Sequence, residues 1–215
     1  MNSTTIFSGK ELLALAKTAG SSDRYAISHI QVRSHELVTT NGHFLTVVST
    51  NATLGDFDEP RYVLASRLLD LRSSDVCRIT GDGIEAASKR GNTTLIGFSS
   101  DSSEDICYPD IGQVIPSLPE TVDNCCYPGI GGACFAGYGI DVLGALFTLI
   151  KAFGVNAIKL NSPADQLSPA VIQARRAESP LDIYGVVMPL RLDGEFLDYR
   201  GILDGRSQSA SRSAA

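Results

Sequence analysis

Two distant segments of the chain set proline among aromatic and branched apolar residues. Residues 108–116 read YPDIGQVIP and residues 184–192 read YGVVMPLRL. Proline lacks a backbone N–H and has a fixed φ, so each segment is expected at the end of a strand, where it presents an apolar lip. For either segment alone, a plain strand end is the commoner interpretation. Two lips from different parts of one chain can form a single binding groove.

Residue types that support catalysis or metal binding occur without the required spacing. The histidines at positions 29, 35 and 43 lack metal-ligand spacing, and no P-loop or nucleophile elbow is present. The acidic cluster at 56–59 lies between Gly55 and Pro60, which favours a solvated loop. We therefore expect no metal, no cofactor and no enzymatic activity. A thiol enzyme stays open as an alternative, with Cys107, Cys125 or Cys134 as nucleophile and thiol-reagent sensitivity as its test.

The cysteines form no disulfide framework. They number five, without Cys-x-x-Cys spacing, and Cys125-Cys126 is interpreted as reduced thiols in a linker. No apolar run reaches the roughly 18 residues of a membrane span, and the N-terminus lacks a signal core. These features predict a cytoplasmic protein without a membrane partner.

Composition allows a folded core but leaves nucleic-acid binding open. The 215 residues are 43% apolar and 20% charged, with a net charge of −6. Taken alone, the negative charge argues against a nucleic-acid binder. It does not exclude a protein whose positive charges are concentrated on one face.

One pattern occurs three times, a strand followed by a helix and about three strands. The first copy is predicted at 4–7, helix 10–19, 25–33, 36–40 and 44–49, with Ser8 as N-cap, Gly20 as helix stop and Asn41-Gly42 as hairpin turn. The second is predicted at 61–64, helix 66–72, 76–80, 84–88 and 93–98. The third is predicted at 133–137, helix 140–153, 157–161, 170–174 and 183–188.

These copies predict an α+β organisation with an unpaired unit. Residues 1–116 form a complete two-copy domain, 117–132 a Pro/Gly-rich linker, 133–192 a half-domain and 193–215 an extension with a disordered end. One copy cannot cover its own apolar sheet, so copies one and two are expected to pair. The third copy is then expected to find its partner in another chain.

The repeats and both lips together resemble the bacterial DNA sliding clamps, the β subunits of replicative polymerase, in a shortened form. The stretch 24–28 resembles a strand of the clamp middle domain, and Thr40-Asn-Gly-His-Phe-Leu45 resembles its Thr-Asp-Gly-His-Arg-Leu turn. Residues 108–116 resemble the clamp connector, and 186–192 resemble the C-terminal Val-Met-Pro-Met-Arg-Leu. Residues 7–116 correspond to the middle domain and 133–192 to half of the last one.

The resemblance implies a DNA-clamp fold, ring formation by oligomerisation, and a groove for short linear peptides of polymerases and clamp-loader-type proteins. Phe44 and Gln113 stand where the family has arginine, so the groove is less basic and its ligand motif can differ. Leucine or phenylalanine anchors would enter a pocket of Ile27, Leu45, Val114, Val187 and Met188. Position by position, the implied groove residues are Arg24, Ile27, Thr40, Gly42, His43, Phe44, Leu45, Pro109, Gln113, Val114, Val186, Val187, Met188, Pro189, Leu190 and Arg191.

The resemblance also implies that the helices touch duplex DNA through phosphates, without reading sequence. The basic residues on the predicted helices are Lys10, Lys17, Arg67, Arg72 and Lys151. A solvated helix face is the ordinary alternative for such residues.

Family rings close with twelve half-domains, so three per chain predict a homotetramer, with a dimer or trimer as alternatives. The function implied is that of a processivity factor of the bacterial nucleoid, encoded by a phage, a plasmid or another mobile element. The alternative is a clamp-like adaptor or decoy that binds the same peptides but never encircles DNA.

Overall fold

The computed structural model describes residues 6–20, 27–99, 108–114, 138–161, 169–177 and 181–189. Within these ranges the repeated order of strands and helices is confirmed for copies one and two, and for the helix and last three strands of copy three. The predicted strand 133–137, the linker 117–132 and the extension 193–215 lie outside the described residues. The elements are β1 (Ile6–Ser8), α1 (Gly9–Thr18), β2 (His29–Val32), β3 (Glu36–Thr40), β4 (Phe44–Thr50), β5 (Arg61–Leu64), α2 (Ala65–Leu68), β6 (Val76–Ile79), β7 (Gly83–Ala87), β8 (Thr93–Gly97), α3 (Ile111–Val114), α4 (Ile140–Ala152), β9 (Lys159–Asn161), β10 (Ala170–Arg175) and β11 (Leu181–Val187).

Copies one and two exchange their first strands. Strand β1 of copy one pairs antiparallel with β6 of copy two, and β5 of copy two pairs antiparallel with β2 of copy one. The result is a four-stranded sheet in the order β1-β6-β7-β8, while β5-β2-β3-β4 begins a second sheet. Each sheet therefore contains a strand of the other copy, which locks the two copies together.

The third copy extends the second sheet within the same chain. Strand β11 pairs antiparallel with β4 over seven residues, from Leu181 opposite Thr50 to Val187 opposite Phe44. The sheet then has seven strands in the order β5-β2-β3-β4-β11-β10-β9. The expectation that copy three finds its partner in another chain is therefore wrong for its last strand, because β11 pairs with β4 of copy one in the same chain. Its β9 edge has no partner strand among the described residues.

The start of α1 shows why the helix begins where the sequence predicted. Ser8 is the N-cap, and it forms a capping box with Glu11 that satisfies free backbone N–H groups. Gly20 serves a different purpose from the predicted helix stop. The helix ends at Ala19 in an extended conformation, and a Cβ on Gly20 would lie 2.5 Å from Ile27 Cδ1. Close packing, rather than a left-handed turn, requires glycine there.

The helices and the inner faces of both sheets share one core. Leu12, Leu15 and Ala16 of α1 are buried in it, as the helix periodicity predicts. Phe7 of copy one meets Phe153 of copy three edge to face, with ring centroids 6.5 Å apart. Helix α1 also packs against α4. Copy three is therefore joined to copy one by a helix layer as well as by a strand ladder.

Two local predictions were wrong. Helix α2 ends at Leu68 because Asp75 draws the following chain into a turn, accepting a hydrogen bond from the Arg72 backbone N–H at 2.8 Å. Arg72 therefore lies beyond the helix. The connector at 108–114 is a short helical turn rather than a strand end. No described helix is both long enough and apolar enough to span a bilayer.

Candidate functional site

The hairpin between β3 and β4 presents His43 to solvent. Asn41 Oδ1 accepts hydrogen bonds from the backbone N–H groups of His43 (2.9 Å) and Phe44 (3.1 Å). Gly42 takes a φ of +87°, which suits glycine at a tight turn. Thr40 is buried and donates its hydroxyl proton to the Phe44 carbonyl at 2.6 Å. The side chains of this turn thus fix the end of β4.

The end of β4 meets the end of β11. Phe44 lies opposite Val187 and Leu45 opposite Val186 in the antiparallel register. The Met188 N–H then donates to the His43 carbonyl at 2.9 Å, which continues the ladder past the last strand residue. The structure therefore brings the hairpin turn and the 184–189 segment into direct contact. It also ends β11 at Val187, just before Pro189, as the proline predicts.

The connector 108–114 covers the outer face of the same ladder. Ile111 packs with Val38, Leu45 and Val47 in a second apolar cluster, and Tyr108, Val114 and Tyr184 border it. The Tyr108 hydroxyl donates to the Val38 carbonyl at 3.1 Å. Burial raises the pKa of Tyr108 above its ordinary value, so its hydroxyl keeps the proton that it donates. The outer cluster thus binds the connector to β3, β4 and β11.

The predicted groove residues divide into three groups. Those with exposed surface form a rim beside the outer cluster, and Met188 of this rim is a large apolar side chain that is 45% exposed. The residues that are exposed or half-buried are Gly42, His43, Pro109, Gln113, Val114, Met188 and Pro189. Those that are buried are Ile27, Thr40, Phe44, Leu45, Val186 and Val187. Arg24, Leu190 and Arg191 lie outside the described residues.

Burial changes the expected pocket. Phe44 and Val187 point into the main core beneath the helices, on the side of the sheet opposite the connector. The expected pocket of Ile27, Leu45, Val114, Val187 and Met188 is therefore not an open cavity in this structure. Sequence reasoning also left Ile111 and Tyr184 out of the site, although both belong to the outer cluster. The apolar and aromatic residues of the two proline segments were the signal that could have included them.

The basic residues predicted to contact DNA lie on or next to the helices, on the side of the sheet opposite the connector. Lys10 and Lys17 are exposed on α1, and Lys151 is exposed on the adjacent α4. Arg67 is exposed on α2, where its Nη1 lies 3.5 Å from the Gly97 carbonyl oxygen. Arg72 is exposed in the turn after α2. Four of the five predicted cations are therefore on helices, and the peptide rim and the cations lie on opposite faces.

The described residues contain no group of three or more His, Cys, Asp or Glu side chains that could hold a metal ion. Cys77 is fully buried in the core. Burial, with smaller contributions from Asp75 and Glu11, raises its pKa from 9.0 to about 11, which keeps the thiol protonated. The cysteines proposed for a thiol enzyme lie outside the described residues.

Comparison with solved structures identifies the fold. The chain superposes on the DNA polymerase III β subunit of Pseudomonas aeruginosa with a TM-score of 0.51 at 20% identity, covering 88% of this chain and 66% of the other. It superposes on the Helicobacter pylori β clamp with a TM-score of 0.55 at 13% identity and the same coverage. No protein-family model and no curated protein matches.

The fold is that of the bacterial DNA sliding clamps, in the α+β class predicted from the repeats. This chain is shorter and spans 66% of the length of the clamp chains that it matches.

Proposed function

We propose that the chain is the subunit of a sliding clamp that encircles duplex DNA and tethers a polymerase or another partner through its groove. The observation that carries the proposal is the β4–β11 ladder. One set of hydrogen bonds joins copy one to copy three edge to edge, the kind of contact from which a ring is built. The same bonds bring the His43 turn and the Met188 segment together, as a peptide groove requires.

The groove suits a short peptide with leucine or phenylalanine anchors. Met188 is half-exposed and unbranched, so it adapts to different apolar side chains. The outer cluster is buried under the connector and holds the rim beside Met188 in place, and apolar anchor residues dominate the affinity of such peptides. His43 is exposed at the rim and can bond polar groups of the peptide.

The helix layer suits the phosphate backbone of DNA. Lys10, Lys17 and Lys151 project from two helices that pack side by side. The net charge of −6 then resides elsewhere on the molecule, and a local basic face attracts a polyanion despite it. Because each subunit contributes few cations, one chain binds weakly, whereas the summed contacts of a ring make its affinity for DNA fall steeply with salt.

Ring closure needs more than one chain, and copy three carries the apolar surface to support it. Ile140 is 86% exposed on α4, Leu160 58% on β9 and Phe147 38% on α4. Exposed apolar residues on a helix and its neighbouring edge strand indicate an interface. Three copies per chain make a twelve-copy ring with four chains, so the proposed assembly is a homotetramer.

Topological binding distinguishes a clamp from an adaptor. Subunits diluted to dissociation are concentrated in the presence of a nicked circular plasmid and then passed through a sizing column in high salt. A ring stays with circular DNA and is lost when a restriction enzyme linearises the plasmid. A protein with the groove but no ring would be absent from the plasmid fraction under both conditions.

Charge variants test the helix face in the same assay. Lys10→Glu with Lys17→Glu should lower the yield of loaded circles several-fold, because assembly around DNA begins with phosphate attraction. Lys89→Glu with Arg90→Glu is the matched control, since both residues are exposed in the turn between β7 and β8. Equal losses from both changes would remove the helix layer from the proposed DNA contact.

A further inference from the structure

The last strands of the three copies are equivalent positions of the repeat. They are β4 in copy one, β8 in copy two and β11 in copy three. Strands β4 and β11 pair antiparallel with each other. Strand β8 pairs with β7 on one side, and its other edge has no partner strand among the described residues. Copy two therefore has an open edge at the position through which copies one and three are joined.

The open edge of β8 offers a regular row of backbone groups. The Phe98 N–H donates to Asp82 on the β7 side at 3.3 Å. Because successive residues of a strand alternate, the N–H and C=O groups of Thr93, Leu95 and Gly97 face away from β7. The Ser99 N–H, of the same parity, donates outward to Tyr62 at 2.8 Å. Of these outward groups, the Gly97 carbonyl already has a neighbour in Arg67 Nη1 at 3.5 Å.

The sequence of β8 has none of the features that usually prevent an edge strand from pairing with another chain. Thr93-Thr-Leu-Ile-Gly97 contains no charged residue and no proline, the features that keep edge strands from pairing. Leu95 is 54% exposed on the outer face of the strand, while Ile96 packs against the core. Leu69, just after α2, is also exposed, at 49%.

We infer that β8 pairs antiparallel with β8 of a second copy of this chain, about a two-fold axis at Leu95. The inference deepens the proposed function, since it names a second contact between chains of that ring, separate from the apolar surface of copy three. The partner is a second copy because the other last strands, β4 and β11, are already paired with each other. Centring the axis at Leu95 pairs all five residues of Thr93–Gly97, with residue 93 opposite 97 and 94 opposite 96.

This contact fixes the symmetry of the ring. A two-fold contact at β8 uses the same surface on both chains and turns one chain over relative to the other. Chains joined in this way present their grooves alternately to the two faces of the ring. A head-to-tail ring would instead place every groove on one face.

Disulfide cross-linking tests the register directly. Cys107, Cys125, Cys126 and Cys134 are first replaced by serine, while the buried Cys77 is kept. In the proposed register the two residues 95 face each other with Cα atoms about 5.5 Å apart, within disulfide range. Leu95→Cys should therefore cross-link to a covalent dimer on oxidation. Thr93→Cys is the matched control, because its two Cα atoms would be about 13 Å apart. Cross-linking at 93 instead of 95 would overturn the register.

A second variant tests the contact without oxidation. Leu95→Lys places two like charges at the axis and should halve the mass measured by light scattering. Val76→Lys, on the same sheet and 52% exposed, should leave the mass unchanged. An unchanged mass for Leu95→Lys, or no cross-link at Leu95→Cys, overturns the inference. Retention on circular DNA without the Leu95 cross-link would overturn this contact alone, whereas a cross-link without retention would overturn the clamp function alone.

Discussion

Glu11 of the first copy and Arg176 of the third copy form an ion pair across the junction of α1 with β10 and β11. Arg176 Nη1 lies 3.1 Å from Glu11 Oε1, and the Glu11 side chain is only 4% exposed. The contact is electrostatic, because it does not meet the geometry of a hydrogen bond. The other carboxylate oxygen, Oε2, accepts from the Ser8 N–H at 2.6 Å and the Ser8 hydroxyl at 2.8 Å. One buried carboxylate thus caps a helix and joins two copies.

Replacing Arg176 with alanine should destabilise the junction. Glu11 would keep its Ser8 partners but lose the opposing charge in a buried position. Because Arg176 is 37% exposed, the expected loss in unfolding free energy is about 1–3 kcal/mol, below that of a fully buried pair. Urea unfolding measures it. Arg175→Ala is the control, because that neighbour is 78% exposed and pairs with Asp182 at the surface, so its loss should be smaller. Equal losses would contradict the assigned role.

Gly185 should not tolerate a larger side chain. A Cβ there would lie 2.9 Å from Cδ2 of Leu146, a fully buried residue of α4. Gly185→Ala should therefore lower the free energy of unfolding by about 1–3 kcal/mol. Adding Leu146→Ala should relieve part of the crowding, measured as coupling in a double-mutant cycle. Gly144→Ala is the control, since nothing lies within 4 Å of its added Cβ and alanine favours a helix. A neutral Gly185→Ala would show that α4 is loosely packed.

Met188 should determine peptide affinity without affecting folding. A charge at this 45% exposed residue would face the leucine or phenylalanine anchor of a bound peptide. Met188→Glu should weaken binding of a labelled Leu-Phe peptide at least about tenfold, measured by fluorescence anisotropy. Its unfolding curve should match that of the native protein. Val76→Glu, exposed on the other sheet, should bind the peptide normally. Unchanged affinity for Met188→Glu would place the peptide elsewhere.

Cys77 should make the folded protein less stable in alkaline solution. Its pKa is about 11 in the folded chain against 9.0 ordinarily, so the unfolded chain releases its proton first. Above pH 9 the folded state therefore holds more protons, and the free energy of unfolding falls as pH rises toward 11. Denaturant titrations at pH 8 and 10.5 measure this loss, and Cys77→Ala should show a smaller one. A thiol reagent should leave Cys77 unmodified until the protein unfolds.

The sequence predicted the elements well where local signals were strong. The bounds of β3 and β5 were correct, and the capping residue Ser8 and the Asn41-Gly42 turn were identified from residue type alone. The end of α2 was missed because it depends on Asp75, which accepts the Arg72 N–H after the chain has turned. The connector was predicted as a strand end, yet residues 111–114 form a helical turn, and Ile111 packs against the outer face of the sheet.

The groove was predicted as a set of residues but not as a surface. The two proline segments were predicted to form one groove, and the structure brings Tyr108 and Val114 of the first and Tyr184 of the second to the same outer cluster. The place of the Thr40–Leu45 turn beside them was implied only by the resemblance to the clamps. The residue types alone did not indicate which of the predicted groove residues are buried. Phe44 and Leu45 are adjacent and both apolar, yet they face opposite sides of the sheet. Their burial depends on what covers each face.

The sequence by itself determined the three copies, their local elements and the α+β organisation, because periodicity, caps and turns are encoded within a few residues. The clamp fold was implied by the resemblance of several short motifs to the clamp family. The tertiary structure decided how the copies are joined. The pairing of β4 with β11, the Phe7–Phe153 contact and the Glu11–Arg176 pair link residues more than 130 positions apart. Such contacts carry no local signature, since they depend on which edges and charges remain unsatisfied after each copy has folded.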